Sequence, residues 1–348
     1  MVEKVVFECL QGRGLRALKG FGLEPGPGCN WIIGENGVGK TTVLEAFYLL
    51  ARGRSFRGRR LGPLVGWSER SAELEARVRL GARGMRRRWK SGTGLEGSAE
   101  VGRALVRMIG DRAYELIEGG PVLRRRFVDW NILQVAPGYL EQWRRFRRVS
   151  AQRNAWLRGG GRGVRVWDQG YAELHEAIDG ARAAWIDRLQ LELRPLVERL
   201  PALNGIGLRW RSSLGSAKTA LEALEANLAL DVQRGFSGSG PSRGDFSLER
   251  GGRSWTGSRG ENKALVVLMQ IGAGRLMEQD TGIRSAWLID DLRSELSQSY
   301  SSELLALVLR LGCQTVVTAL EAPAGGSAVV DAARLFHVEQ NGALVRRG

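Results

Sequence analysis

Trp31-Ile32-Ile33-Gly34-Glu35-Asn36-Gly37-Val38-Gly39-Lys40-Thr41-Thr42-Val43-Leu44-Glu45-Ala46 joins an apolar run to a glycine-rich loop and then to a helical pattern. Positions 34 to 41 read G-x-x-x-x-G-K-T, the phosphate-binding loop in its strand–loop–helix context. Its glycines let the backbone curl so that N–H groups face a phosphate chain. The new helix N-terminus adds partial positive charge. Lys40 can reach the β- and γ-phosphates, and the Thr41 hydroxyl can ligate Mg²⁺. The expected nucleotide site is therefore Gly34, Glu35, Asn36, Gly37, Val38, Gly39, Lys40, Thr41 and Thr42, with ATP and Mg²⁺ as its cofactors.

The rest of the chain must complete that site. Ala286-Trp287-Leu288-Ile289-Asp290-Asp291 is an apolar strand ending in two acids, about 250 residues beyond Lys40. A buried strand that delivers Asp290 beside the Thr41-bound Mg²⁺ is the Walker B arrangement. Asp291 is then placed to polarise an attacking water, so Lys40, Asp290 and Asp291 are the catalytic candidates. So long a separation suits an ATPase head interrupted by a second lobe. Gly257-Ser258-Arg259-Gly260 precedes an apolar helix from Ala264 to Leu276. Alone it is an ordinary helix cap. Beside a P-loop already holding the phosphates, Ser258, Arg259 and Gly260 make sense as a second phosphate device acting in trans, on ATP held by a partner copy.

The 348 residues suffice for two domains or one large one, and carry a net charge of +15. Such a charge suits a polyanionic partner, most simply nucleic acid. No apolar run approaches the ~20 residues that span a bilayer, and no membrane partner is expected. Met1 to Leu10 alternates like a strand and lacks a signal-peptide core. Cys9, Cys29 and Cys313 are far apart and show no metal spacing, which suits small core residues in a reducing, cytoplasmic setting. Arginine dominates the basic residues, as a coding bias would also produce. The lysines are Lys4, Lys19, Lys40, Lys90, Lys218 and Lys263. One of them stands where a slim ammonium, and not a broad guanidinium, must enter the phosphate cradle.

Periodicity places a strand at Val2–Leu10, a Gly/Arg-rich turn at Gln11–Lys19, and a helix from Thr41 with Val43, Leu44, Phe47 and Leu50 on one stripe. Arg52 to Arg60 is a basic loop. Ala72–Leu80 and Arg86–Lys90 read as strands, the latter with a basic face. Leu123 to Leu200 is mostly helical, broken at Gly159-Gly160-Gly161, and Ala217–Leu230 is a further helix. Arg144-Arg145-Phe146-Arg147-Arg148 lies on the first long helix, as either a solvated face or a DNA contact. Ser301–Leu311 is helical, Thr315–Thr318 is a strand, and Ala333–Val338 pairs with Ala343–Arg346 across a turn at Asn341-Gly342. Arg54, Arg57 and the Arg86, Arg87, Arg88 face are the first candidates for DNA phosphates.

In order, the blocks Gly34–Ala46, Gly53–Arg57, Gly120-Pro121 with Arg125–Asp129, Gln152–Ala155, Gly240-Pro241 with Asp245, Ser258–Gly260 with Lys263, Leu288–Asp291 with Ser294–Leu296, and Phe336–Glu339 resemble the RecF family of bacterial recombination proteins. That family is related to the SMC and ABC-type ATPases. The resemblance implies an α/β fold: an ABC-type P-loop ATPase head with an inserted, mostly helical second lobe. The segments are 1–118 (head with P-loop), 119–250 (helical lobe) and 251–348 (head with signature and Walker B). It further implies dimerisation on ATP as a clamp, DNA binding, and help to RecO and RecR in loading RecA at single-strand gaps. ATP hydrolysis would be weak, DNA-stimulated and used as a switch. It also places Arg16 near the nucleotide. The chain departs from the pattern at Glu261, Ser242, Ser297, Leu15-Arg16-Ala17 and Arg107, which falls at the Q-loop glutamine. These departures touch dimer closure and hydrolysis, while the P-loop is complete. A DNA-binding module with a vestigial, non-hydrolysing site is the alternative. A small-molecule phosphotransferase ranks third, since the spacing and charge do not suit one.

Overall fold

The computed structural model describes residues 2–58, 64–67, 69–96, 105–161, 166–321, 333–339 and 343–347. The chain divides into two compact units, Met1–Ala113 with Arg259–Gly348, and Tyr114–Ser258.

The first unit holds two sheets and a helix between them. One sheet is built on β1 (Glu3–Leu15), with β2 (Leu18–Leu23), β4 (Glu73–Leu80), β5 (Arg83–Lys90) and β6 (Gly94–Glu96) antiparallel and β11 (Ile283–Arg284) parallel. The other runs in the order β15 (Leu344–Arg347), β14 (Arg334–Val338), β3 (Cys29–Ile33), β13 (Thr315–Ala319), β12 (Ala286–Ile289) and β7 (Val106–Ile109). It is parallel except for the β14–β15 hairpin; the expected turn at 341–342 lies outside the described residues. Every residue of β3, β12 and β13 is buried, as expected of short apolar runs in a parallel sheet covered on both faces.

The P-loop helix α1 (Lys40–Arg52) packs against strands of both sheets. That contact explains a difference from the expected single stripe. Thr42 to Phe47 and Leu49 to Ala51 are all buried, because a helix sheltered on every side has no solvent face. Two amides stitch the interior. Asn30 exchanges hydrogen bonds with Gly26, its Oδ1 accepting from the Gly26 N–H at 2.6 Å, and so shapes the loop before β3. Gln314 bonds both backbone groups of Phe7 at 2.8 and 2.9 Å and the Gly26 carbonyl at 2.8 Å. One side chain thus satisfies three buried backbone groups, each of which would be costly if left unpaired.

The first strand runs five residues beyond its expected end, through the glycine-rich segment read as a turn. A Cβ on Gly12 would stand 2.4 Å from Leu74. The glycine there permits close approach to β4 and does not break the strand. Arg87 also differs from expectation. The strand alternates, so Arg86 and Arg88 are exposed while Arg87 turns inward, 4% exposed, and donates to the Leu50 carbonyl at 3.1 Å. It cannot serve as a surface contact.

The second unit contains α2 (Glu115–Glu118), α3 (Pro121–Val135), α4 (Tyr139–Arg158), α5 (Asp168–Val197), α6 (Ala220–Ala226) and α7 (Leu228–Arg234). It also holds an antiparallel sheet, β8 (Ile206–Arg211), β9 (Asp245–Arg250) and β10 (Arg253–Ser254), that the helical periodicity did not reveal. Its centre is ionic. Arg153 is fully buried and donates to Asp168 at 2.8 Å, Asp231 at 3.0 Å and Ser237 at 2.7 Å. Arg182 grips both oxygens of Asp129 at 2.7 and 2.8 Å, donates to the Pro241 carbonyl, and lies over the rings of Trp143 and Trp210. The Arg125–Asp129, Gln152–Ala155 and Gly240-Pro241 blocks therefore meet in a packed polar interior.

The head is completed by α8 (Arg259–Thr281) and α9 (Gln298–Leu309). Ser297 caps α9, its hydroxyl accepting from the Tyr300 N–H at 3.3 Å. Among the described residues no helix is long and apolar enough to cross a membrane.

Candidate functional site

β3 ends at Ile33, and the chain turns through Gly34–Gly39 into α1. Gly34, Gly37 and Gly39 all have positive φ, and Gly39 at 114° occupies the residue before the helix. A side chain there would be strained, and its Cβ would meet Leu18 at 2.9 Å. Lys40 curls back over the loop, its Nζ donating to the Gly34 and Glu35 carbonyls at 2.7 Å each. Glu35, Asn36 and Gly37 are exposed, Val38 and Thr42 buried. The cradle presents an ammonium and a helix N-terminus together, which is a binding site for a polyphosphate.

β12 lies one strand away from β3, with β13 between, and its end brings Asp290 to the loop. Thr41 Oγ1 donates to Asp290 Oδ1 at 3.0 Å, and Thr318 Oγ1 donates to the same oxygen at 2.7 Å. Burial pushes the Asp290 carboxyl above the ordinary carboxylate range, against the hydroxyls of Thr318 and Thr41 and the positive charge of Arg57. A buried carboxylate so disposed favours a cation. Two hard oxygens 3.0 Å apart match the edge of an octahedron with ~2.1 Å bonds, so Thr41 and Asp290 fit Mg²⁺.

Asp291 follows in a left-handed conformation, φ 41°, with its N–H held by Thr318 Oγ1 at 3.0 Å and its side chain exposed. It is the leading charge opposing the burial that lowers the Lys40 ammonium, ahead of Asp290. The structure therefore brings Lys40, Thr41, Asp290 and Asp291 together.

α8 is tied to this turn. Lys263 is fully buried and donates to the carbonyls of Asp291 at 3.0 Å and Ser294 at 2.8 Å. Burial lowers its ammonium, opposed first by Asp291 and then by Asp111. A Cβ on Gly260 would stand 2.5 Å from the Glu295 carbonyl, so the glycine lets the helix start press against the acid turn. Ser258 and Arg259 are exposed at that helix start. Glu261 sits in the first turn of α8, where the helix dipole favours an acid.

The remaining expected residues fall elsewhere. Arg16, at φ 52°, gives its guanidinium to Glu45 at 2.6 and 2.9 Å. Glu45 is fully buried and also accepts from Ser55. Arg57 is exposed, with its N–H donated to Ser55 Oγ at 2.9 Å, and its charge reaches Asp290. Arg54 is exposed on the same loop. Arg107 is turned toward α8. It is buried in β7, donates to the Ala273 carbonyl at 2.9 Å, and occupies space left by Gly274. The β5 face is less basic than its sequence. Glu75 pairs with Arg86 and, at 3.5 Å, with Arg88, and Glu73 pairs with Lys90 at 2.8 Å and Arg13 at 2.6 Å.

Sequence reasoning gave no role to Glu45, Thr318 or Lys263. Each had a visible signal: a charge inside an apolar helical run, a polar residue ending a buried strand, and a lysine in an arginine-rich chain.

Comparison with known proteins agrees with this architecture. The AAA domain family model matches residues 9–76. The DNA replication and repair protein RecF of Chromohalobacter salexigens is 34% identical over 352 residues, covering 95% of this chain and 97% of its own. That of Thioalkalivibrio sulfidiphilus is 32% identical over 352 residues, covering 96% and 98%. Among solved structures, the recombination mediator protein RecF-ATP of the RecFOR pathway aligns with a TM-score of 0.79 at 22% identity, covering 100% of this chain and 99% of that one. The Smc head domain of Pyrococcus furiosus aligns at 0.54 with 14% identity, over 99% and 96%. These likenesses establish an ABC-type ATPase head fold.

Proposed function

The chain belongs to the RecF family of DNA replication and repair proteins, and from that membership we propose that it is an ATP-switched, DNA-binding clamp for recombinational repair. ATP would occupy the Lys40 cradle, and Thr41 and Asp290 are the residues that would hold its Mg²⁺. The metal, when bound, neutralises phosphate oxygens. Lys40 supplies a further positive charge, and Asp291 orients the attacking water. Ser258, Arg259 and Gly260 of a second copy close on the same nucleotide, so ATP drives homodimerisation. The dimer holds DNA and, with RecO- and RecR-type mediators, helps load a RecA-type recombinase at single-strand gaps.

The observation that carries this reading is the Thr41–Asp290 contact, which unites the P-loop with the acid strand in one site. The exposed Ser258-Arg259 corner supports the dimer. Gel filtration with ATP and Mg²⁺, with ADP, and without nucleotide is the test. Wild type should shift to a dimer only with ATP, Lys40→Ala should bind no ATP, and Ser258→Arg should bind ATP and stay monomeric. One species under all three conditions removes the dimer.

Burial of Arg107 favours a second reading, because the Q-loop position offers no group to the metal. In that reading ATP binds and is not turned over. DNA-stimulated hydrolysis that disappears in Asp291→Asn would eliminate it.

A further inference from the structure

The second unit carries a charged surface that the nucleotide site does not use. On α4, the residues Arg144, Arg145, Arg147, Arg148 and Arg158 are all exposed. One acid, Glu141, shares the face and reaches Arg144 at 3.7 Å. Arg145, Arg147, Arg148 and Arg158 make no ion pair among the described residues. The contrast with β5 is direct, since Arg86 and Arg88 there already hold Glu75.

The helix geometry suits a rod-shaped polyanion. Arg144 and Arg148 are one turn apart, ~6 Å, and Arg144 to Arg158 spans ~21 Å. Between them the exposed positions Ala151, Gln152 and Ala155 carry short or uncharged side chains, so nothing bulky holds a backbone away. The opposite side of the helix is fixed by buried Phe146 and Leu157 and by the Arg153 ion pairs to Asp168 and Asp231. The arginines therefore project from a rigid element, which lowers the ordering cost of binding.

We propose that this face of α4 makes the principal contacts to the DNA phosphate backbone, without reading sequence. It rests on the DNA-binding function proposed above and gives that function a location. A guanidinium without a carboxylate partner gives up no ion pair to a phosphate. On β5 the incoming phosphate must compete with Glu75 and Glu73 and is repelled by them. Phosphate neutralisation releases counterions, so each contact adds ~0.9 to the slope of log K against log salt.

The test measures duplex oligonucleotide binding from low to moderate salt for wild type, R145E/R147E/R148E, R145K/R147K/R148K and R86E/R88E. Binding of a fluorescent ATP analogue and circular dichroism report on folding. The Glu triple should lose ~100-fold or more in affinity and ~2–3 in salt slope, with ATP binding and helicity unchanged. The Lys triple should stay within ~5-fold of wild type, because it neutralises the same number of phosphates and releases the same counterions. R86E/R88E should change less than the Glu triple. Wild-type affinity and slope in the Glu triple would overturn this location while leaving DNA binding intact. Wild type that binds no DNA would overturn the DNA reading itself. A Glu triple that retains DNA but loses polyglutamate would reassign the face to an acidic protein.

Discussion

Thr41 on the P-loop helix and Asp290 at the end of β12 are hydrogen-bonded at 3.0 Å across 249 residues of chain. Thr318 donates to the same carboxylate oxygen, so the acid is held in place before any nucleotide arrives. Its position does not depend on the metal, while its buried charge is what the metal would relieve.

Asp290→Asn should separate those two properties. An amide oxygen still accepts from both hydroxyls, and the buried charge is gone. The nucleotide-free protein should be at least as stable as wild type. The added stabilisation by ATP with Mg²⁺, which follows RT ln(1 + [L]/Kd), should fall to the level seen without Mg²⁺. Thermal unfolding with ATP alone, with ATP and Mg²⁺, and with neither measures this. A full Mg²⁺-dependent increment in the variant would refute the assignment.

Lys263→Met should impair turnover and leave ATP binding in place. Its ammonium serves the Asp291 and Ser294 carbonyls from inside the protein. Removing it leaves two acceptors unpaired, at a cost of ~1–3 kcal/mol each. The acid turn then loses its anchor to α8. Hydrolysis should drop at least tenfold, with ATP affinity changed by less than about threefold in equilibrium binding. Equal losses in both would place Lys263 in the binding site.

Arg153→Met should destabilise the second unit by about 3–5 kcal/mol, because it strands two buried carboxylates. Asp168 and Asp231 are 5% and 0% exposed in their side chains, and both face this one guanidinium. Urea unfolding followed by tryptophan fluorescence should show an early transition. An unchanged midpoint would mean that the pair contributes nothing.

His175 should make the second unit acid-sensitive. Burial lowers its pKa from the ordinary 6.5, opposed by Asp179 and Glu176, and its Nε2 meets Ser213 Oγ at 2.5 Å. Below pH 6.5 the unfolded chain binds the proton and the folded chain does not. Stability is therefore complete above pH 6.5 and declines as pH falls toward the lowered folded value. His175→Gln should flatten that part of the profile. Parallel profiles for the two proteins would rule it out.

Legibility in the sequence followed locality. The P-loop, the apolar strand before Asp290 and the long helices are written in consecutive residues, and each lies where its pattern predicts. β8 and β9 each alternate, with Ile206, Leu208 and Trp210 on one and Phe246 and Leu248 on the other, but the runs are short and they pair across about 40 residues of chain, which no local pattern shows. The end of β1 escaped because Gly12 resembles turn punctuation, and only Leu74, from another strand, shows why a glycine is needed there. Arg87 illustrates a pattern that was available: period two puts it opposite Arg86 and Arg88. Arg107 was not available, since its inward turn depends on the gap left by Gly274 on α8. The β5 carboxylate pairs likewise come from the neighbouring strand, invisible in a run of basic residues.

The strand that carries the P-loop lies between β13 and β14, and both come from the far end of the polypeptide. During synthesis, β3, every residue of which is buried in the folded protein, leaves the ribosome with both edges unpaired and waits for almost the entire message to be read. The 114–258 unit is complete long before then and can fold first. A nascent chain of this kind spends much of its translation time exposing a sticky, unpaired strand. The order of these strands along the gene thus obliges β3 to stay unpaired until β13 and β14 have emerged.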